Sequence, residues 1–168
     1  DQAIRFYEKA IELDENMATA YFGLGNVCYE QAKYDKAISF FKEALVKKLD
    51  HSDVYFMLGL ALIAKEQHVY ALTYLQRATE LDATDPAKMF QYGLTLAQTD
   101  YLVEAKEVLT KVIDLDVTFA DAYYNLAIIA VHDEEVETAI KHLEVALTYD
   151  TEHTLAKQAL TVIKESIK

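Results

Sequence analysis

The chain has 168 residues, a formal net charge of −12 and an apolar fraction of 52%. That length supports one compact domain or a short repeat array, and it contains no uninterrupted apolar run of about 18 residues, the length a membrane-spanning helix needs. One Pro and four Gly argue for helices and against a turn-rich β fold, and a single Cys excludes an intrachain disulfide.

Asp1–Leu13 carries Ala3, Ile4, Tyr7, Ala10, Ile11 and Leu13 at spacings of three and four, one apolar helical face. It reads as the second helix of a pair, ended by Asp14, Glu15 and Asn16. The pattern then predicts four complete helix pairs: Ala18–Gln31 with Tyr34–Lys47, Ser52–Glu66 with Val69–Leu81, Pro86–Gln98 with Leu102–Leu115, and Ala120–His132 with Val136–Tyr149. Pro86 suits a first helical turn, where its missing N–H is not needed. Asp14, Asp50, Asp82, Asp116 and Asp150 mark the turns after second helices. Thr154–Lys168 is a lone final helix, apolar at Ala156, Leu160, Ile163 and Ile167 and polar at Lys157, Gln158, Lys164, Glu165 and Lys168. One wet face is what a terminal unit of a repeat array needs, so this helix is expected to act as a cap. No basic-then-apolar leader precedes the first helix, and the chain opens at Asp1, in mid-pair and without Met, so it reads as a piece of a longer protein. The uncovered face with Ile4, Tyr7 and Ile11 is expected to make contacts, self-association included.

The pairs repeat with a fixed period. Tyr21, Leu24, Gly25 and Cys28, followed by Ala37, Phe41 and Ala44, return as Tyr55, Leu58, Gly59 and Leu62, followed by Ala71, Leu75 and Ala78. The pattern returns again from Met89 to Val112 and from Tyr123 to Ala146. The alanines at 3, 37, 71, 105 and 139 hold the register. This arrangement resembles the tetratricopeptide repeat over almost the whole chain. It departs from that pattern in having Tyr or Met for the usual Trp, Ala127 for the last Gly, and no closing Pro. The resemblance implies an all-α, right-handed superhelix: a half-repeat at 1–17, full repeats at 18–51, 52–85, 86–119 and 120–153, and a capping helix at 154–168. The small columns let two helix backbones approach closely. Cys28 shares a core column with Leu62, Leu96 and Ala130 and is expected to be a buried apolar thiol.

Chemistry is poorly supported by the residues. His51, His68, His132, His142 and His153 include no helical i, i+4 pair and have no Cys cluster beside them, and four of them fall in or beside turns, so they read as surface residues and not metal ligands. There is no Gly-rich phosphate loop and no nucleophile elbow. No cofactor, no metal and no enzymatic activity are expected. The charge is uneven: residues 18–51 hold five Lys against four acids, whereas 120–153 hold one Lys against eight acids. That acidity argues against a nucleic-acid partner and favours a basic or amphipathic protein partner, or none. Asp133, Glu134, Glu135 and Glu137 read as a solvated turn.

One stripe of the first helices is the candidate binding surface. It carries Thr19, Phe22, Asn26 and Tyr29, then Asp53, Phe56, Leu60 and Ile63, then Ala87, Phe90, Leu94 and Ala97, then Asp121, Tyr124, Ile128 and Val131, with Asn125 beside it. Spacings of three, four and three keep each set on one side of its helix. The resemblance implies that first helices line a concave wall that holds a peptide or a helix. Phe and Leu stand where a carboxylate clamp would have basic residues, so a mostly apolar groove is expected, with generic lateral packing of these aromatics as the competing reading. The expected function is a cytoplasmic, non-enzymatic scaffold binding a protein or peptide with apolar anchors and basic residues. A structural oligomerisation unit, or a docking arm of a larger and enzymatic protein, stays open beside it.

Overall fold

The computed structural model describes residues 2–166, so Asp1, Ile167 and Lys168 lie outside the described residues. The described residues are all-α, with ten helices and no strand. These are α1 (Gln2–Leu13), α2 (Ala18–Glu30), α3 (Tyr34–Val46), α4 (Ser52–Ile63), α5 (His68–Leu81), α6 (Pro86–Gln98), α7 (Leu102–Leu115), α8 (Ala120–His132), α9 (Val136–Tyr149) and α10 (Thr154–Ser166). They fall into two compact units, the first ending at Ala83 and the second starting at Thr84. In the first unit α2 packs on α3 and α4 on α5, while α3 also touches α4 and α1 lies on α2. In the second unit α6 packs on α7 and α8 on α9, while α7 touches α8 and α10 lies on α9.

Small residues and one large one make each pair. Ala37, Phe41 and Ala44 of α3 are 0% exposed, as are Ala71, Leu75 and Ala78 of α5 and Ala139, Leu143 and Ala146 of α9. In α1 the corresponding Ala3 is exposed, Tyr7 is half-buried, and no residue is fully buried. Ile4 and Ile11, expected on the uncovered face, are half-buried as well, and it is Phe6 and Leu13 that stand out, 72% and 78% exposed.

The glycine column shows how close the pairs come. A Cβ on Gly25 would sit 2.4 Å from Phe41 Cε1, one on Gly59 2.7 Å from Leu75 Cδ2, and one on Gly93 3.0 Å from Leu109 Cγ. The fourth pair already has the Cβ, with Ala127 against Leu143, both 0% exposed. The contacts therefore grade from clash to ordinary packing, and alanine substitution should follow that order. Gly25→Ala should cost roughly 1–3 kcal/mol by overpacking. Gly59→Ala should cost less. Gly93→Ala should come out near neutral, because about 1 kcal/mol of helix propensity offsets its tighter contact. Urea unfolding of the three variants measures the ranking.

Two devices end the helices. After α2, α6 and α8, and after residue 63 at the end of α4, the chain passes through a left-handed residue: Ala32 (φ 56), Asp100 (φ 69), Glu134 (φ 61) and Glu66 (φ 60). At each, the next residue's N–H returns to a carbonyl five residues back, as from Gln67 to Leu62 (2.9 Å) and from Lys33 to Cys28 (2.8 Å). This is the Schellman closure, usually made by glycine. It stops α4 at Ile63, short of the Glu66 expected from the pattern, because Glu66 leaves helical backbone to make the turn. The second helices close differently. Asp14, Asp116 and Asp150 accept a backbone N–H two residues on, each at 2.9 Å. Thr118 adds its hydroxyl to Asp116 and, with its N–H, holds that carboxyl below the usual range. In this column α3 has Lys48, not Asp, and there the chain uses the left-handed turn instead (φ 67). Asp50, read above as a turn marker, is two residues out of register and lies 3.5 Å from Arg77.

The last helix behaves as a cap within its unit. Ala156, Ala159, Leu160 and Ile163 pack on the cluster formed by Tyr123, Ala127, Ala130, Ala139, Leu143 and Ala146. In α8 the face turned to α9 carries Tyr123, Ala127 and Ala130; one period on, α10 has Lys157, Thr161 and Lys164, all exposed. Its start is fixed by His153, which is only 8% exposed. The His153 Nδ1 accepts the Ala156 N–H at 3.2 Å and its Nε2 faces Asp121 Oδ1 at 3.1 Å. The surface reading of His153 is thus corrected: Tyr124 covers the ring, and both nitrogens have partners within the fold. His51 caps α4 in a related way, accepting the Asp53 N–H at 3.3 Å.

Candidate functional site

The stripe read from the first helices takes two forms. In the first unit it opens into a pocket of about 430 Å³ lined by Phe22, Asn26, Tyr29 and Glu30 of α2 and by Asp53, Phe56 and Met57 of α4. That volume falls in the roughly 300–1,000 Å³ of ligand clefts. Five of its seven lining residues belong to the predicted stripe. Leu60 and Ile63 lie farther along α4, half-buried, and do not line it.

Packing beneath the pocket fixes the walls. Phe22 leans on Phe41 of the core, with ring centroids 5.8 Å apart, and Tyr29 meets Tyr34 edge-on at 5.5 Å. Burial, reinforced by Tyr34, pushes the Tyr29 phenol up, so it stays a neutral donor and acceptor. Asn26 is the polar group among these rings. Its Oδ1 is buried with no hydrogen-bond partner. An orphaned carbonyl of this kind costs about 1–3 kcal/mol.

In the second unit the stripe is covered by the chain itself. The ring of Phe90 lies 4.9 Å from that of Phe119, and Tyr124 lies 5.1 Å from His153. Phe119 and His153 each occupy the position before a first helix, where the first unit has Met17 and His51. Asp121 faces His153, and the Asn125 amide donates back to the Asp121 carbonyl of its own helix at 2.8 Å. Leu94 is half-buried, and Ile128 and Val131 remain 43% and 44% exposed. In the second unit the stripe's aromatics are thus covered by residues of the turns, whereas the stripe of α2 and α4 stays open.

Glu30 and Met57 were not on the predicted stripe. Each follows a stripe residue by four, Asn26 and Asp53 respectively, so carrying the helical spacing one step further would have found them. Glu30 and Asp53 add two carboxylates to a lining of three aromatic rings, one amide and one thioether, so the pocket carries negative charge. A larger cleft of about 720 Å³ is lined by Lys42, Leu62, Gln67, Val69, Tyr70, Thr73 and Tyr74, chiefly residues of second helices outside the stripe. Among the described residues no His, Cys, Asp or Glu cluster could hold a metal ion, and no helix is long and apolar enough to cross a membrane.

Comparison with known families and structures bears on the repeats and the fold. The family profile described as TPR repeat matches residues 1–31, and profiles described as Tetratricopeptide repeat match residues 18–50 and 52–85. A solved structure described as YrrB, a TPR protein with an unusual peptide-binding site, is 39% identical with a TM-score of 0.88, over 94% of this chain and 81% of that one. MamA 41-end from Desulfovibrio magneticus RS-1 is 21% identical with a TM-score of 0.82, over 89% of this chain and 84% of that one. Pseudomonas aeruginosa pilF is 17% identical with a TM-score of 0.76, over 91% of this chain and 69% of that one. The last two share the fold alone. Comparison with curated protein sequences gave no match.

Proposed function

The chain belongs to the tetratricopeptide repeat family, and from that premise we propose that it is a non-enzymatic interaction module whose α2–α4 face holds a peptide segment with apolar anchors. The observation that carries this reading is the pocket itself: three aromatic side chains, Phe22, Tyr29 and Phe56, line an opening on the stripe where the helical spacing places it. A peptide supplies what that surface lacks, a side chain to pack against the rings. The relative described as having an unusual peptide-binding site supports the same reading by similarity. The acidic balance of the chain adds attraction for basic partners, chiefly through faster encounter.

The test is titration with a basic amphipathic peptide. Phe56 stands in the pocket wall and is half-buried, so its removal spares the fully buried core. Phe56→Ala should weaken binding by about tenfold or more, as for an aromatic anchor near the centre of an interface, with helicity unchanged. Phe90→Ala should weaken it much less, since Phe90 is already occupied by Phe119. Unchanged affinity in Phe56→Ala would remove the α2–α4 face from the reading.

A further inference from the structure

We propose that the pocket between α2 and α4 takes a cationic side chain, an arginine of the bound peptide, stacked against Phe22, Tyr29 and Phe56 and facing the carboxylates of Glu30 and Asp53. This rests on the peptide reading above and specifies its central contact. The lining has three aromatic faces, two carboxylates, one amide and one thioether, and neither Lys nor Arg. An aromatic face attracts a cation through its ring quadrupole, and carboxylates at the rim add a charge of the right sign.

One further feature favours the cation over an apolar anchor at this point. Glu30 is the last residue of α2, where the helix dipole is itself negative, so carboxylate and dipole reinforce each other and a cation relieves both. Guanidinium suits that charge and the rings together. It is planar, stacks on rings, is weakly hydrated, and carries five donors in a fixed fork, enough for two carboxylates together. An ammonium group offers a compact point charge without the flat face. A carboxylate ligand, the opposite choice, would meet Glu30 and Asp53 at like charge.

The experiment titrates the 168-residue chain with short acetylated and amidated Ala/Leu peptides that differ at one central residue: arginine, citrulline, norleucine or glutamate. Calorimetry gives affinity, and the Met57 methyl resonance reports occupancy of the pocket. The arginine peptide should bind and move that resonance. Citrulline keeps the shape and most donors but loses the charge, and it should bind at least about tenfold more weakly, a 1.4 kcal/mol difference. Norleucine should be weaker still and glutamate weakest. Glu30→Gln combined with Asp53→Asn should shrink the advantage of arginine over citrulline to what the rings alone supply, while the norleucine affinity stays put. Equal affinity for arginine and citrulline, or tighter binding of norleucine, overturns the cation pocket. If Phe56→Ala still weakens all the peptides in that case, the peptide groove survives and only its specificity is rejected. An arginine peptide that leaves the Met57 methyl unmoved up to millimolar concentration overturns the proposal outright.

Discussion

Replacing Phe41 by alanine should lower the unfolding free energy by about 3–5 kcal/mol, the range for deleting a fully buried aromatic side chain. Phe41 is 0% exposed and sits where the other pairs have Leu75, Leu109 and Leu143. It fills the space above Gly25, which has no side chain of its own to close the gap, and it supports Phe22 from beneath. The cavity should therefore collapse poorly. Urea unfolding followed by circular dichroism measures the loss. A second variant ties the number to geometry: Gly25→Ala with Phe41→Leu recreates the Ala127–Leu143 pairing found in α8 and α9. That double variant should recover most of the stability lost by Gly25→Ala alone, because the new Cβ then meets a branched alkyl group and not a ring. Equal stability of Phe41→Ala and the parent would remove the α2–α3 crossing from the account.

The opposite effect is expected at the left-handed turns. Ala32, Glu66 and Glu134 hold φ between 56 and 61, a conformation in which an L-residue's Cβ crowds the following carbonyl. Glycine adopts it without that penalty, though it loses more freedom on folding. The net gain is about 0.5–1 kcal/mol per site, so Ala32→Gly, Glu66→Gly and Glu134→Gly together should add roughly 1.5–3 kcal/mol. For a chain of this size that is a rise in melting temperature of about 5–10 °C. Asp100 is left out because Asp tolerates this region better than most residues. A triple variant that melts at or below the parent would show that these residues stabilise the turns through contacts that outweigh their backbone strain.

The helix pairs were legible because burial recurs with the repeat: an Ala at 37, 71, 105 and 139, and a large residue four further on, leave one packing solution. Most helix limits agree to a residue or so with the apolar pattern for the same reason. The closures were not legible at Glu66, since the usual glycine signal is missing and the turn is enforced by the two helices it joins. Nor did the stripe reveal which half of it is open. That depends on the residue before each first helix, where Phe119 and His153 swing onto the aromatics of the second unit, and a helical-face pattern does not see a residue in a turn. His153 misled for a related reason: its position suggested water, while its ring fills a core site through two specific hydrogen bonds.

Cys28 is the one thiol in the chain, 6% exposed on the buried side of α2. A thiol reagent in solution cannot reach it until α2 parts from its neighbours, and it has no second cysteine to capture it in the meantime. The chain thus carries a built-in stopwatch for breathing of its first unit under fully native conditions. Its modification rate, followed with and without a bound peptide, converts occupancy of the adjacent face into seconds of delay, with no label and no denaturant added.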